Sequence, residues 1–85
     1  MPSISFFYGI VIMMYFDDHN PPHFHARYQD DRAEFDFDGN MLNGDLPEKQ
    51  KRMVQAWAAI HEEDLKTNWE LLKNSGTPEK IEPLR

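Results

Sequence analysis

Apolar positions along this chain change period once. In the first half they fall in short runs or at every second position, the period of a strand. From Met53 onward they recur in steps of three and four, the period of a helix. Ile10 to Phe16 is an unbroken apolar run bounded by Gly9 and by Asp17-Asp18. Both of its alternating sets, Ile10/Ile12/Met14/Phe16 and Val11/Met13/Tyr15, are apolar, which predicts a strand buried on both faces. A helix would cover one face; the other needs the N-terminal segment, the residues after Gly76 or a second subunit. Asp18-His19-Asn20-Pro21-Pro22 reads as a turn, with Asn20 held extended by the proline after it. In His23 to Tyr28 the period of two is clean: Phe24, Ala26 and Tyr28 point one way, His23, His25 and Arg27 the other. After a turn at Gln29-Asp30-Asp31, Arg32 to Asp38 sets Ala33, Phe35 and Phe37 on a core face and Arg32, Glu34, Asp36 and Asp38 outward. This predicts a third strand, antiparallel to the second. Asp38-Gly39-Asn40 turns the chain again before a short apolar touch at Met41-Leu42.

The helix is well signposted. Asp45-Leu46-Pro47-Glu48 matches a capping box with an acidic cap, and proline is tolerated in a first helical turn. Met53, Val54, Trp57, Ile60, His61, Leu65, Trp69 and Leu72 form an apolar stripe that holds to Lys73, and Asn74-Ser75-Gly76 followed by Pro78 stops it. The Glu62-Glu63-Asp64 run is where so long a helix could kink into two. Trp57 and Trp69 are expected as core anchors, with a subunit interface the alternative for Trp69. Phe6-Phe7-Tyr8 is expected as core packing, with anchoring of the sheet or a partner the alternative. His61 is expected as a core residue bonded to a backbone carbonyl, with contact to the strand histidines through the core the alternative. The predicted architecture is α+β, with residues 1–85 as a single domain: a three-stranded antiparallel meander followed by one long C-terminal helix that could be kinked.

Composition narrows the class. A chain of 85 residues buries only about 60–65% of its unfolded surface, so its stability is modest or supplemented by a partner. The absence of cysteine removes disulfides, thiolate zinc sites and thiol catalysis. The run from Phe6 to Phe16 has no basic residues before it and is shorter than the roughly 20 residues that span a bilayer. No membrane association is therefore expected, and a cytoplasmic location is the default. From Asp17 to Asp45 eight acids face two bases, Arg27 and Arg32, so that this segment accounts for the whole net charge of −6. Nonspecific nucleic-acid binding needs clustered Lys and Arg and is disfavoured here. A basic partner protein or a cation suits the segment better, although a solvated acidic surface would also account for it.

Asp17 to Tyr28 holds three of the chain's four histidines. The cluster can be read in three ways. As a metal site, His23 and His25 project side by side from one strand, and His19 and Asp17 could complete a ligand set for zinc or another transition metal. Arg27 on the same face would oppose a cation unless Glu34 or Asp36 neutralised it. As an acid–base site, His19, His23 and His25 with Arg27 are the parts needed for phosphodiester cleavage, though the acidic surroundings would repel such a substrate. As a structural feature, histidines beside a Pro-Pro turn bond to loop backbone, and the alternation marks a solvated or partner-facing sheet surface.

Ile4-Ser5, Phe7-Tyr8-Gly9-Ile10-Val11-Ile12, Met14-Tyr15, Asp18-His19 and Pro21-Pro22-His23-Phe24-His25 together resemble the opening signature of a family of short prokaryotic proteins. That family is catalogued only as a domain of unknown function. Gly44, Leu46-Pro47, the Trp57 and His61 spacing, Asn68-Trp69 and Lys80-Ile81-Glu82-Pro83-Leu84 extend the resemblance over essentially the whole chain. The resemblance implies no catalytic residue. It does imply a frequent neighbour, a second small protein encoded beside it in an arrangement like a toxin–antitoxin pair. The sequence thus points to an interaction module without a resident cofactor, one half of a two-gene pair and a candidate homodimer through the uncovered sheet face. The alternative is a small histidine-dependent hydrolase, with RNA the favoured substrate, or a metal-binding protein.

Overall fold

The computed structural model describes residues 3–15 and 20–85. Five strands, β1 (Ser3–Phe7), β2 (Ile10–Met13), β3 (His23–Tyr28), β4 (Asp31–Asp36) and β5 (Met41–Gly44), precede two helices, α1 (Glu48–Ile60) and α2 (Glu62–Lys73). The strands lie in sequence order in one sheet, each antiparallel to the next. The expected meander of three strands and one long helix is therefore corrected to five strands and two helices.

Local chemistry explains each departure. β1 joins β2 through Tyr8 and Gly9, at φ +49° and +80°, with Phe7 paired to Ile10. A two-residue turn with both central residues left-handed matches the twist of a hairpin. A tyrosine adopts that conformation at a cost of about 1–2 kcal/mol, so the usual Asn-Gly or Asp-Gly signal is missing. The register of β1 also shifts between Ser3 and Ser5. Ile4 and Ser5 are both buried, which breaks the period of two. β5 is four residues long and ends at Gly44. There a Cβ would come within 2.8 Å of the Ala33 Cα, and closer still to the Arg32 carbonyl.

The helical stripe breaks at His61, at φ −112° and ψ 27°. Its N–H still donates to the Trp57 carbonyl at 3.0 Å, and Leu65 N–H donates to the His61 carbonyl at 3.0 Å. The phase of the buried face therefore continues from Val54, Trp57 and Ala58 to Leu65, Asn68, Trp69 and Leu72. Glu62, Glu63 and Asp64 form the first turn of the new helix, where the helix dipole favours acids. His61 is part-exposed, and its Nδ1 lies 3.2 Å from the Asp64 carboxylate rather than on a backbone carbonyl. The expected capping box is absent: α1 starts after Pro47 without a side-chain cap. Asp45 instead donates its N–H to the Arg32 carbonyl at 2.9 Å and accepts from Leu46 N–H at 3.0 Å.

Both helices cover the same face of the sheet. Ile10, Ile12, Met14, Phe24, Ala26 and Phe35 pack with Val54, Trp57, Leu65, Trp69 and Leu72 in one core. Trp57 is fully buried, its ring 5.5 Å from Phe7 and 5.7 Å from Phe24, and its Nε1–H donates to the Glu82 carbonyl. The C-terminal segment runs back over this layer. Buried Asn68 grips Glu79 from both sides, donating to its carbonyl and accepting from its N–H, each at 2.8 Å. Ile81 N–H donates to the Ile4 carbonyl. The N-terminal segment is thus a strand of the sheet and the C-terminal segment packs with the helix layer. Among the described residues neither covers the second face, where Val11 and Tyr15 are half-buried.

Candidate functional site

Directly opposed residues of an antiparallel ladder share a face, so the pairing assigns the uncovered face row by row. One row is Phe6, Val11, Arg27 and Arg32; the next is Met13, His25, Glu34 and Asn43; a third begins with His23 and Asp36. His23, His25 and Arg27 therefore lie together, opposite Phe24, Ala26 and Tyr28. The rings of His23 and His25 are 5.2 Å apart.

The two strand histidines have different surroundings. His23 is buried. Its Nδ1 lies 2.8 Å from the Pro21 carbonyl, an acceptor, so Nδ1 carries the proton. Its ring is 5.7 Å from that of Trp69 on α2, and its Nε2 is turned toward Glu34 at 4.0 Å. These contacts hold the Pro21-Pro22 turn against the end of the sheet. His25 is half-buried, stacked edge-on against Tyr15 at 4.5 Å, and the Tyr15 hydroxyl donates to the Met13 sulfur. His25, Tyr15, Arg32, Glu34 and Asn43 line an open groove of about 330 Å³ with Met13 beneath. A second groove, of about 390 Å³, lies over Val11, Arg27, Gln29, Asp30 and Arg32. Neither helix contributes a described residue to either groove.

Neither Glu34 nor Asp36, the two acids that could have neutralised Arg27, pairs with it. Glu34 stands opposite His25, and Arg27 stands opposite Arg32. Asp36 is occupied elsewhere: its carboxylate accepts from Asp38 N–H, Asn40 N–H and the Asn40 side chain at 2.9–3.0 Å. Partial burial pushes its pKa up, but the hydrogen bonds from Asn40, Asp38 and Gly39 outweigh this and hold it below the ordinary value.

Of the metal-ligand candidates, Asp17 and His19 lie outside the described residues. Among the described residues no group of three or more His, Asp or Glu converges as a cation site. Sequence patterning set Arg32 and Glu34 outward and grouped Tyr15 with Val11 and Met13, but only the strand register brings them, together with Phe6, beside His25 and Arg27. Phe6 and Tyr8 were expected in the core; Phe7 is there, but Phe6 and Tyr8 are 63% and 58% exposed. Among the described residues no helix is long and apolar enough to cross a membrane.

No curated protein and no solved structure matches the chain. Residues 9–70 match the profile of the family described as Domain of unknown function (DUF4160), and the protein belongs to that family.

Proposed function

We propose that the protein is a protein–protein interaction module that binds through the helix-free face of its sheet, and that its partner is the small protein encoded beside it. The observation that carries this reading is the face itself, which among the described residues is open and shallowly grooved. It is aromatic and arginine-bearing, with Phe6 exposed and Tyr15, His25 and Arg27 half-buried. Interfaces are enriched in aromatics and arginine and depleted in lysine, and all five lysines of this chain lie in the helices or the C-terminal segment. The pairing with a neighbouring gene product, in a toxin–antitoxin-like arrangement, rests on the family resemblance. Copurification of the tagged protein with that product tests it: retention is expected for the unaltered chain and loss for Phe6→Asp and Val11→Asp. Full retention by both variants would contradict the reading.

A second reading rests on the groove around His25. Tyr15, His25, Arg32 and Glu34 supply an acid, a base and a cation within one depression, the parts of a small histidine-dependent hydrolase. Cleavage of single-stranded RNA that is lost in both His25→Ala and Glu34→Gln would place this reading first.

A further inference from the structure

The acid-rich half of the chain keeps its two arginines side by side. Arg27 on β3 is the register partner of Arg32 on β4, so their Cβ atoms are about 5 Å apart, and like charges placed directly opposite destabilise a sheet. Elsewhere Lys66, Lys73 and Arg85 each lie within 4.0 Å of a glutamate three or four residues away, and Lys80 donates to the Ser3 carbonyl. Lys49, Lys51 and Arg52 make no ion pair with a described residue but lie along α1, not opposite one another in a sheet. Neither Arg27 nor Arg32 makes an ion pair or side-chain hydrogen bond to a described residue, although fifteen acids to nine bases are available. Both line the same groove, with Val11 in it. The same row continues through Val11 to the exposed ring of Phe6.

The geometry points to a carboxylate-binding site: Arg27 and Arg32 together receive one Asp or Glu side chain of the partner protein, while Phe6 and Val11 receive an apolar side chain of the same segment. This inference rests on the interaction reading above and specifies what the partner presents. Paired guanidinium groups match a carboxylate through parallel N–H···O bonds, and an anion between them removes the repulsion that the register imposes. The spacing limits the partner further. The midpoint of the arginine pair is two to three strand spacings from Phe6, about 12 Å at 4.8 Å per strand. An extended chain rises about 3.3 Å per residue and returns to the same face every second position. An apolar residue and an acid four positions apart in an extended segment therefore meet both ends of the row. A nucleic acid fits less well: Asp30 lines the same groove and Glu34 follows Arg32 on the same face, the chain carries a net charge of −6, and affinity for a polynucleotide comes from several phosphates contacted at once.

The test uses the full chain, labelled with 15N, and follows the arginine Nε–H resonances. The probes are a five-residue capped peptide with leucine first and glutamate fifth, the same peptide with glutamine fifth, and a ten-nucleotide oligouridylate. The glutamate peptide is expected to shift Arg27 and Arg32 with millimolar affinity. Binding should be at least tenfold weaker for the glutamine peptide, and weaker in 500 mM than in 50 mM salt. Arg27→Ala/Arg32→Ala should abolish it and Arg27→Lys/Arg32→Lys should weaken it, with unchanged melting. No shift at either arginine, equal binding of the glutamine peptide, or tighter binding of the oligouridylate at the same resonances would overturn the inference. So would a concentration-dependent dimer lost in the arginine variant, which would make a second copy the occupant. In the copurification assay, loss of the partner with Phe6→Asp but full retention with the double arginine variant would remove this site and leave the interaction reading standing. Retention by both would remove both.

Discussion

On the face of the sheet beneath the helices, Ile10, Ile12, Phe24 and Phe35 are fully excluded from water. One residue along the same strands, Val11, His25, Arg27 and Glu34 remain half-exposed on the other face. The first face meets Trp57 and the helix layer; the second, among the described residues, meets a helix only at its His23 end, where that ring lies 5.7 Å from Trp69, and otherwise carries charge, imidazole and exposed aromatic rings. The backbone is common to both, so the difference lies in the side chains that the period of two sends each way. Stability is concentrated on one face, which leaves the side chains of the other less constrained by packing.

The comparison is broken most directly from the covered side. Trp57→Ala removes a fully buried ring that touches Phe7 and Phe24 and takes away the donor to Glu82. A loss of about 3–5 kcal/mol is expected, enough to unfold a chain of this size, and urea denaturation followed by circular dichroism measures it. Gly44→Ala comes next. Gly44 is at φ +81° and has no room for a Cβ against the Arg32 carbonyl and the Ala33 Cα. A strained backbone with an uncompressible neighbour should cost on the order of 2–3 kcal/mol by the same assay.

Asp36 tests the boundary between the faces. Its carboxyl pKa is held low in the folded chain. The stability it contributes is therefore complete above the unfolded value, about 3.9, and is lost as pH falls through the lower folded value. Asp36→Asn should cost about 1 kcal/mol at pH 7, and its deficit should shrink below about pH 4 as the native carboxyl protonates. Urea midpoints of both proteins at pH 7 and pH 3 provide the check; a deficit that stays constant would contradict the assignment. The smallest effect belongs to the open face. Phe6→Ser should change stability by less than about 0.5 kcal/mol, because the ring is 63% exposed. A loss comparable to that of Trp57→Ala would mean that the two faces are not separate in energy.

The legibility of the fold follows the regularity of its strands. β3 (His23–Tyr28) was readable to the residue because its alternation is unbroken. The next strand was expected at Arg32 to Asp38 and is found at Asp31–Asp36, because Asp36 turns its carboxylate to the following loop. β2 ends at Met13, while the apolar run on which it was placed continues to Phe16. β1 escaped because a bulge disrupts its period and a Tyr-Gly pair makes its turn; β5 escaped because it is short and ends in glycine. The kink was foreseen near Glu62, yet its cause at His61 is a backbone conformation that no residue type announces. For the candidate site, the shared face of His23, His25 and Arg27 was legible from spacing along one strand. Arg32 opposite Arg27, and Glu34 opposite His25, depend on register between strands, which one strand's pattern does not contain. Asp17 and His19 fall outside the described residues.

The central claim, that the open face binds and the covered face does not, is tested most directly by methyl NMR of the chain titrated with the neighbouring gene product. Val11 and Met13 report on the open face, and Val54, Leu65 and Leu72 on the covered one. Binding should shift or broaden the Val11 and Met13 methyls and leave the other three within their free positions. Perturbation centred on the helix side, with Val11 and Met13 unchanged, would contradict it.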